Sequence, residues 1–344
     1  MKIQATALAL VLATAVAFGQ DATQPEPARR GGAAGRGAGR AGGRGGGGGN
    51  RENLKHVAGP ELGYTAVENP LHLPANIKFA AVADVAVNSK DHVFVFHRAT
   101  PPVLEFDGNG TFIRGFGDGL TSRPHAIRID SADNVWLTDV DTHQVIKMDP
   151  QGKVLMTLGT QGKNGTWDEA SGTKLLDQPT DVAFGANGEF YVSQGHGGVP
   201  RILRFDKTGK LITSWGASPA QPGGPMNLHT IVIDKAGLIW AGDREARRML
   251  VFNNTGQLQK TLPTEHYVSG LVIGPDGLLY VSTGYEGQLV KEDWNAHILG
   301  VTGGPGTGLN QYGEAHHLSF GPKREIYVAD TNGSNVQKYV ERAR

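Results

Sequence analysis

The chain has 344 residues, no cysteine, and 33 basic against 33 acidic residues, so it carries no net charge. The missing cysteines exclude disulfides, thiolate catalysis and cysteine metal ligands, and leave only oxygen and nitrogen ligands. The first 51 residues hold seven basic and two acidic residues, which leaves 26 basic and 31 acidic residues in the remainder. This mildly acidic remainder disfavours nucleic acid as a partner.

Residues 1–19 have the layout of a secretory signal peptide. Lys2 supplies a positive charge, residues 5–17 are apolar and uncharged, and small residues precede a predicted cleavage site at Gln20. The apolar run is short for a membrane span, and the alternative is a buried N-terminal helix. No other segment approaches eighteen apolar residues, so we predict a secreted or periplasmic mature protein without a membrane span.

Residues 20–54 are predicted to be a disordered linker, followed by a folded domain over 55–344. Residues 31–50 read GGAAGRGAGRAGGRGGGGGN, with no side chain that anchors a core. Such a segment cannot bury enough apolar surface to offset its loss of conformational entropy. The alternative for this Arg/Gly segment is binding to nucleic acid or to an anionic cell envelope.

Six copies of one two-strand pattern follow, each a short strand, a turn rich in Asp, Asn and Gly, and a second strand. The first and last positions of every copy are 14 residues apart, and the copies span 83–97, 125–139, 180–194, 229–243, 269–283 and 316–330. Most copies continue into a third strand, a D-x-x-G-type turn and a fourth strand. Repeats of this kind predict an all-β fold, a six-bladed β-propeller. The sixth copy lacks a fourth strand, and residues 64–67 are predicted to supply it and close the ring.

Three histidines occupy equivalent positions in alternate copies, since His125, His229 and His316 begin the second, fourth and sixth repeats. If the first strand of each blade lines the channel, its first residue and the last residue of the antiparallel second strand lie at the same mouth. Alternate positions of a six-fold ring are a third of a turn apart, so the three imidazoles converge. They suit catalytic zinc or another divalent first-row metal. The alternative is that each is a satisfied polar residue.

Two arginines, Arg98 and Arg244, directly follow the second strands of the first and fourth repeats. We predict that both guanidiniums face the mouth, where they would capture a carboxylate or another anion. The alternative is a salt bridge with Asp139, Asp243 or Glu245.

His196 and Tyr285 lie two residues beyond the second strands of the third and fifth repeats. Either is a candidate general base if a metal or an arginine lowers its pKa, and the alternative is packing or hydrogen bonding. His143, His266 and His297 have no equivalent relation and are predicted to be structural or surface residues.

The repeats resemble NHL repeats, and most of residues 80–340 is similar to the peptidyl-α-hydroxyglycine α-amidating lyase domain. The matching segments are VFHR at 95–98, PHAIRID and VWLTDVDTHQVIKMDP within 124–150, QPTDVAF at 178–184, RILRFDKTGKLITSWG at 201–216 and GDRE at 242–245. The resemblance implies zinc held by His125, His229 and His316. It also implies substrate contacts from Arg98 and Arg244, and a reaction that removes glyoxylate from an α-hydroxyglycine to leave an amide.

This chain departs from the family pattern at two positions. The family's catalytic tyrosine follows an Asp-Gly pair on the third blade, where this chain has Gln194-Gly195-His196, so His196 is the candidate for the base. The family's structural calcium uses an Asp directly after the third zinc histidine. In this chain that position is occupied by His317, so calcium is not expected.

The sequence therefore predicts an exported metal-dependent lyase acting on a small carboxylated or peptide-like substrate. One alternative is a non-catalytic NHL propeller that binds a peptide, glycan or protein on its loop face. Another is a lactonase-like hydrolase, although such sites usually centre on acidic calcium ligands.

Overall fold

The structure, a computed structural model, describes residues 54–216 and 223–343. They form six four-stranded antiparallel sheets in a β-propeller ring, as the repeats predict. The predicted signal peptide, and the predicted linker as far as residue 53, lie outside the described residues. Within those residues no helix has the length and apolar character needed to cross a membrane, and the one helical segment is a 3-10 turn at Ala186–Gly188.

Strands that follow one another in sequence pair within each blade. The strands as far as the third blade are β1 (Tyr64–Val67), β2 (Val82–Val87), β3 (Val93–His97), β4 (Val103–Phe106), β5 (Phe112–Phe116), β6 (Pro124–Ile129), β7 (Val135–Asp139), β8 (Gln144–Met148), β9 (Val154–Leu158), β10 (Pro179–Phe184), β11 (Phe190–Gln194), β12 (Arg201–Phe205) and β13 (Leu211–Gly216). Those of the last three blades are β14 (Leu228–Ile233), β15 (Ile239–Asp243), β16 (Arg248–Phe252), β17 (Leu258–Pro263), β18 (Gly270–Ile273), β19 (Leu279–Ser282), β20 (Gln288–Glu292), β21 (Ile298–Gly303), β22 (Ala315–Phe320), β23 (Ile326–Asp330) and β24 (Asn335–Glu341).

One repeated turn joins the third and fourth strands of the blades. Asp107, Asp149 and Asp206 open it, and Oδ1 of each accepts the backbone N–H groups two and four residues later, at 2.8–3.1 Å. The glycine three residues on has a positive φ, 81° at Gly110 and 91° at Gly152, which side chains with a Cβ rarely adopt. The D-x-x-G pattern is therefore the local cause of this hairpin.

The first strands of the blades form the innermost ring. Each contacts the first strands of both neighbouring blades, and these strands are β2, β6, β10, β14, β18 and β22. Six hydrophobic clusters, one between each pair of neighbouring blades, hold the ring together. Between the second and third blades Trp136 packs against Phe190 with centroids 4.7 Å apart. Burying each such ring contributes about 1.5–3 kcal/mol.

The sixth blade takes its outermost strand from the other end of the chain. β22, β23 and β24 pair in order, and β1 pairs antiparallel with β24, with Tyr64 opposite Glu341 and Val67 opposite Lys338. This sheet consequently has four strands like the other five.

A recurrent irregularity in the innermost strands positions the site. In five blades the pairing of the first and second strands shifts register at one place. The residues inside the shifts are Ala83, His125, Thr180, His229, and the pair His316 and His317. A β-bulge leaves such residues out of the regular pairing and re-aims their side chains. The three histidines identified from the sequence are thus bulge residues.

A buried pair inside the fifth blade makes stability depend on pH. His266 Nε2 lies 2.7 Å from Glu292 Oε1, and neither side chain is more than 1% exposed. Burial alone lowers the pKa of His266, but the hydrogen bond and charge of Glu292 outweigh it and raise the pKa. The folded-state pKa therefore exceeds the unfolded value of about 6.5. The stabilisation is fully present below that pH and is lost as pH rises through the folded-state pKa.

As the pH rises above about 6.5, we expect the free energy of unfolding of the wild type to fall. In the His266→Gln variant it should fall less steeply. The glutamine amide still donates to Glu292 but does not titrate. Urea unfolding at a series of pH values measures the two slopes, and equal slopes would contradict the assignment.

Candidate metal centre at the channel mouth

Three imidazoles converge at one end of the innermost ring. His125, His229 and His316 are no more than 3% exposed. Their ring centroids lie 4.6–4.9 Å from one another, with the rings steeply inclined. They come from the second, fourth and sixth blades, so the structure brings together the three residues that the sequence singled out.

A backbone carbonyl fixes the outer nitrogen of each ring. Nδ1 lies 2.6–2.7 Å from a carbonyl oxygen in every case, and the pairs are His125 with Thr180, His229 with Ser269, and His316 with Ala83. A carbonyl only accepts hydrogen bonds, so Nδ1 carries the proton and Nε2 presents a lone pair. The Nε2 atoms of His125 and His229 are 3.2 Å apart. Two lone pairs at this distance repel each other unless a hydrogen-bond donor or a cation interacts with them.

Burial keeps these three rings neutral. It lowers the pKa of each well below the usual 6.5, and neighbouring groups add to the effect, Arg244 most strongly at His229. Neutral imidazole is the form that binds metal ions. The nitrogen donors of His125, His229, His316 and the adjacent His317 lie within 4.8 Å of one another. This buried four-histidine cluster therefore fits zinc or another divalent first-row metal.

Arg244 contacts the cluster directly. Its Nη1 lies 2.9 Å from His229 Nε2 and 3.7 Å from Glu314 Oε1, and its Nη2 lies 2.7 Å from Glu245 Oε1. Burial lowers the pKa of Arg244, but Glu245 and Glu314 outweigh it and raise the pKa, so the guanidinium stays charged. The salt bridge with Glu245 that the sequence allowed is present, and the same side chain also reaches the cluster.

Arg98 lies at the same mouth. Its Nε donates to the carbonyl of Pro124, the residue before His125, at 3.3 Å. The residue is exposed. Its positive charge contributes to the lowered pKa of His125 and of His316. Both arginines that the sequence proposed for anion capture are therefore near the histidines.

His196 is the loop candidate that contacts the cluster. Its Nε2 lies 2.9 Å from His125 Nε2. Because that His125 nitrogen is unprotonated, His196 donates across the contact and keeps its own Nδ1 as a proton acceptor. Burial lowers the pKa of His196 well below 6.5, and the charges of Arg244, Arg123 and Arg98 lower it further. Arg123 is a third positive charge at the mouth that the sequence reasoning missed.

Tyr285 is the second loop candidate. It is partly buried, and it acts electrostatically on Arg244. The structure thus places both candidates at this mouth, and His196 contacts His125 directly.

The acidic residues that end the second strands hold loops. Oδ1 of Asp243 accepts the backbone N–H groups of Met226 and Asn227 at 2.9 and 2.8 Å. Asp139 and Asp330 accept loop N–H groups in the same way. These carboxylates fix the loops that lead into β6, β14 and β22, the strands that carry His125, His229 and His316.

The remaining histidines singled out from the sequence lie outside the cluster. His266 pairs with Glu292 in the fifth blade, and the exposed His297 pairs with Asp293 at 2.9 Å. His143 accepts a hydrogen bond from a loop N–H group.

A second buried layer, missed from the sequence, adjoins the three histidines. Asp84 and Asp181 are wholly buried and share the guanidinium of Arg128, which contacts Asp84 Oδ2 and lies 2.9 Å from Asp181 Oδ2. His317 Nδ1 lies 3.1 Å from the same Asp84 oxygen. Asp84, Asp181 and His317 each directly follow the first residue of their repeat, and this shared register was the signal available in the sequence.

No family model matches the chain. Peptidyl-alpha-hydroxyglycine alpha-amidating lyase 1 of Drosophila melanogaster is 28% identical over 335 residues, covering 78% of this chain and 58% of its own length. The probable lyase of that name from Caenorhabditis elegans, pgal-1, is 32% identical over 211 residues, covering 53% and 59%. NHL repeat-containing protein 3 of Homo sapiens is 27% identical over 267 residues, covering 70% and 73%. The predicted resemblance is confirmed. The match spans less than two thirds of the length of either lyase.

A solved structure supports the fold. A streptogramin B lyase structure aligns over 80% of this chain and 97% of its own, with a TM-score of 0.59 and 14% sequence identity. Identity this low shows the fold alone. Propellers host unrelated reactions, so the reaction must be argued from the site.

Proposed function

We propose that this protein is an exported, metal-dependent lyase that splits an α-hydroxyglycine-type substrate into an amide and glyoxylate. The observation that carries the proposal is the 2.9 Å contact between the Arg244 guanidinium and His229 Nε2. A guanidinium, a group suited to binding an anion, thus lies against a cluster of neutral imidazoles. The relatives named as amidating lyases support the reaction, and the N-terminal sequence supports export.

His125, His229 and His316 would hold the metal through their Nε2 atoms. The ion would replace the contacts that His125 and His229 make through these atoms with His196 and Arg244. When bound, zinc or another divalent first-row ion supplies Lewis acidity toward a substrate oxygen. The three backbone carbonyls keep the rings in the tautomer that ligation needs.

Arg98 and Arg244 bind and orient the substrate carboxylate. A carboxylate between two guanidiniums gains charge-assisted hydrogen bonds, and it fixes the reacting carbon relative to the histidines. The N-terminal side of a peptide-like substrate then extends toward the loops.

His196 moves the proton. Its Nδ1 takes the proton of the substrate hydroxyl, the carbon–nitrogen bond breaks, and the hydroxyl oxygen becomes the aldehyde oxygen of glyoxylate. The proton then passes to the departing amide nitrogen, so neither water nor an oxidant is consumed. Tyr285, near Arg244, is the alternative proton carrier.

The second candidate is a non-catalytic NHL propeller that binds a peptide, glycan or protein on its loop face. The similarity to NHL repeat-containing protein 3 over 70% of this chain favours it, since that name specifies no reaction. This candidate requires neither metal nor glyoxylate release.

The deciding experiment joins metal analysis of the purified protein to an assay for glyoxylate release from an N-acyl-α-hydroxyglycine. Stoichiometric metal together with glyoxylate supports the lyase. Absence of metal, with or without added zinc, refutes it. Metal without glyoxylate would indicate a different reaction at the same site.

Replacing Arg98 by alanine is expected to lower kcat/KM for the α-hydroxyglycine by about 30- to 1,000-fold, the effect of losing about 2–4 kcal/mol of charge pairing. The matched control is a substrate whose carboxylate is replaced by a carboxamide. Wild type and variant should then turn over at similar rates. An equal loss with both substrates would show that Arg98 does not recognise the carboxylate.

A further inference from the structure

We propose that His317 is a fourth ligand of the metal, bound more weakly than the other three histidines. This inference rests on the metal site of the proposed function. Two consecutive histidines occupy the bulge between Ala315 and Leu318, and both are buried. The His317 ring centroid lies 5.3 Å from those of His125 and His229. This single bulge therefore directs both imidazoles toward the same cluster.

The inner nitrogen of His317 has no protein partner. Among the described residues, its Nε2 is a buried polar atom without a hydrogen bond, and the side chain is wholly shielded from solvent. Buried polar atoms are rarely left unpaired, because losing water without replacement is costly. A cation at the centre of the cluster would supply the missing partner of Nε2.

The outer nitrogen of His317 determines which form the ring takes. Nδ1 lies 3.1 Å from Asp84 Oδ2 and 3.2 Å from Arg128 Nη2. Arg128 Nη2 has a closer acceptor in Asp181 Oδ2, at 2.9 Å. Nδ1 therefore donates to Asp84, and Nε2 carries a lone pair. A carboxylate that holds the outer nitrogen is the usual support of a metal-binding histidine.

The charge of the second layer favours the same arrangement. The buried carboxylates of Asp84 and Asp181 share a single guanidinium, that of Arg128. One negative charge therefore remains without a compensating positive charge in this layer. Through its hydrogen bond to Asp84, His317 links this excess to the cluster. A divalent ion compensates it.

The stacking of the rings makes the fourth bond the weak one. His316 and His317 lie nearly parallel, at 14° and 4.6 Å between centroids. Two rings stacked in parallel do not direct their Nε2 lone pairs at one point, so His317 would share an ion held by His316 only after its ring tilts. We therefore expect three strong imidazole ligands and one weaker one.

The test uses the full-length protein, stripped of metal and reloaded with zinc or cobalt(II). His317→Ala is expected to lower zinc affinity at least about tenfold, measured by competition with a chromophoric chelator. It should also strengthen the visible absorption of the cobalt(II) protein, because lower coordination numbers absorb more strongly. Asp84→Asn should lower zinc affinity to a smaller extent.

Thr230→Val is the matched control. Thr230 Oγ1 donates to Asp181 Oδ2 at 3.0 Å, so this change removes a hydrogen bond to the second layer and leaves all four histidines in place. Its affinity and cobalt spectrum should match the wild type. Circular dichroism of the metal-free proteins checks folding, and His317→Gln, which still offers Asp84 a donor, serves if the alanine variant does not fold.

Identical cobalt spectra for wild type and His317→Ala would overturn the inference, even if zinc affinity falls, because His317 would then only support the fold. A cobalt spectrum that depends on His317 in a protein that releases no glyoxylate keeps the fourth ligand and rejects the lyase reaction. A wild type that binds neither ion overturns both.

Discussion

Replacing His229 by alanine is expected to abolish stoichiometric zinc binding and to lower the rate of glyoxylate release by about three orders of magnitude. His229 is wholly buried, Ser269 fixes its tautomer, and its Nε2 lies 3.2 Å from that of His125. Without it the cluster loses a ligand and Arg244 loses its contact. Elemental analysis and the glyoxylate assay measure the two losses.

His297→Ala is the control for that change. The side chain of His297 is exposed and pairs with Asp293, away from the histidine cluster. Zinc content and rate should therefore match the wild type. A His229→Ala protein that keeps one zinc per chain and the wild-type rate would refute the metal centre. If instead a ligand of the loop face binds equally well to both proteins, the non-catalytic propeller gains support.

Replacing Arg128 by methionine is expected to lower the free energy of unfolding by about 3–5 kcal/mol. Arg128 is the cation shared by Asp84 and Asp181, which are wholly buried. Burial lowers the pKa of Arg128, but the two carboxylates outweigh it and raise the pKa. Methionine leaves two buried negative charges without this partner. Denaturant unfolding of the metal-free protein measures the loss.

Two further variants separate charge from packing. Arg324→Met removes an exposed ion pair with Glu341 and should lower the free energy of unfolding far less than Arg128→Met does. Adding Asp84→Asn and Asp181→Asn to Arg128→Met should restore part of the lost stability, since no unpaired charge remains. If Arg128→Met costs no more than Arg324→Met, the buried network does not stabilise the fold.

The fold was predictable because its information is local and repeated. The 14-residue spacing set the register of the first and second strands, and the D-x-x-G turns marked the hairpins between the third and fourth. The same register located His125, His229 and His316, because equivalent positions of a closed ring face the same axis.

The second layer was not predictable in the same way. The bulges move the pairing by one residue, so that Pro124 rather than His125 lies opposite Asp139. Strict alternation would place His316 and His317 on opposite faces of the strand, whereas the bulge buries both in one cluster. Arg128 reaches the layer through a long side chain, and sequence spacing does not fix where such a side chain ends.

The distance between the clustered histidines along the chain has a consequence for biosynthesis. His125 and His229 are 104 positions apart, and the innermost ring is complete only when β22 packs against β2. Contacts so remote in sequence form late, after most of the chain is available to fold. A nascent or translocating chain therefore presents scattered single imidazoles. At the proposed metal site, the assembled cluster would take its ion from the compartment in which the ring closes, and the metal supply there would decide which ion binds.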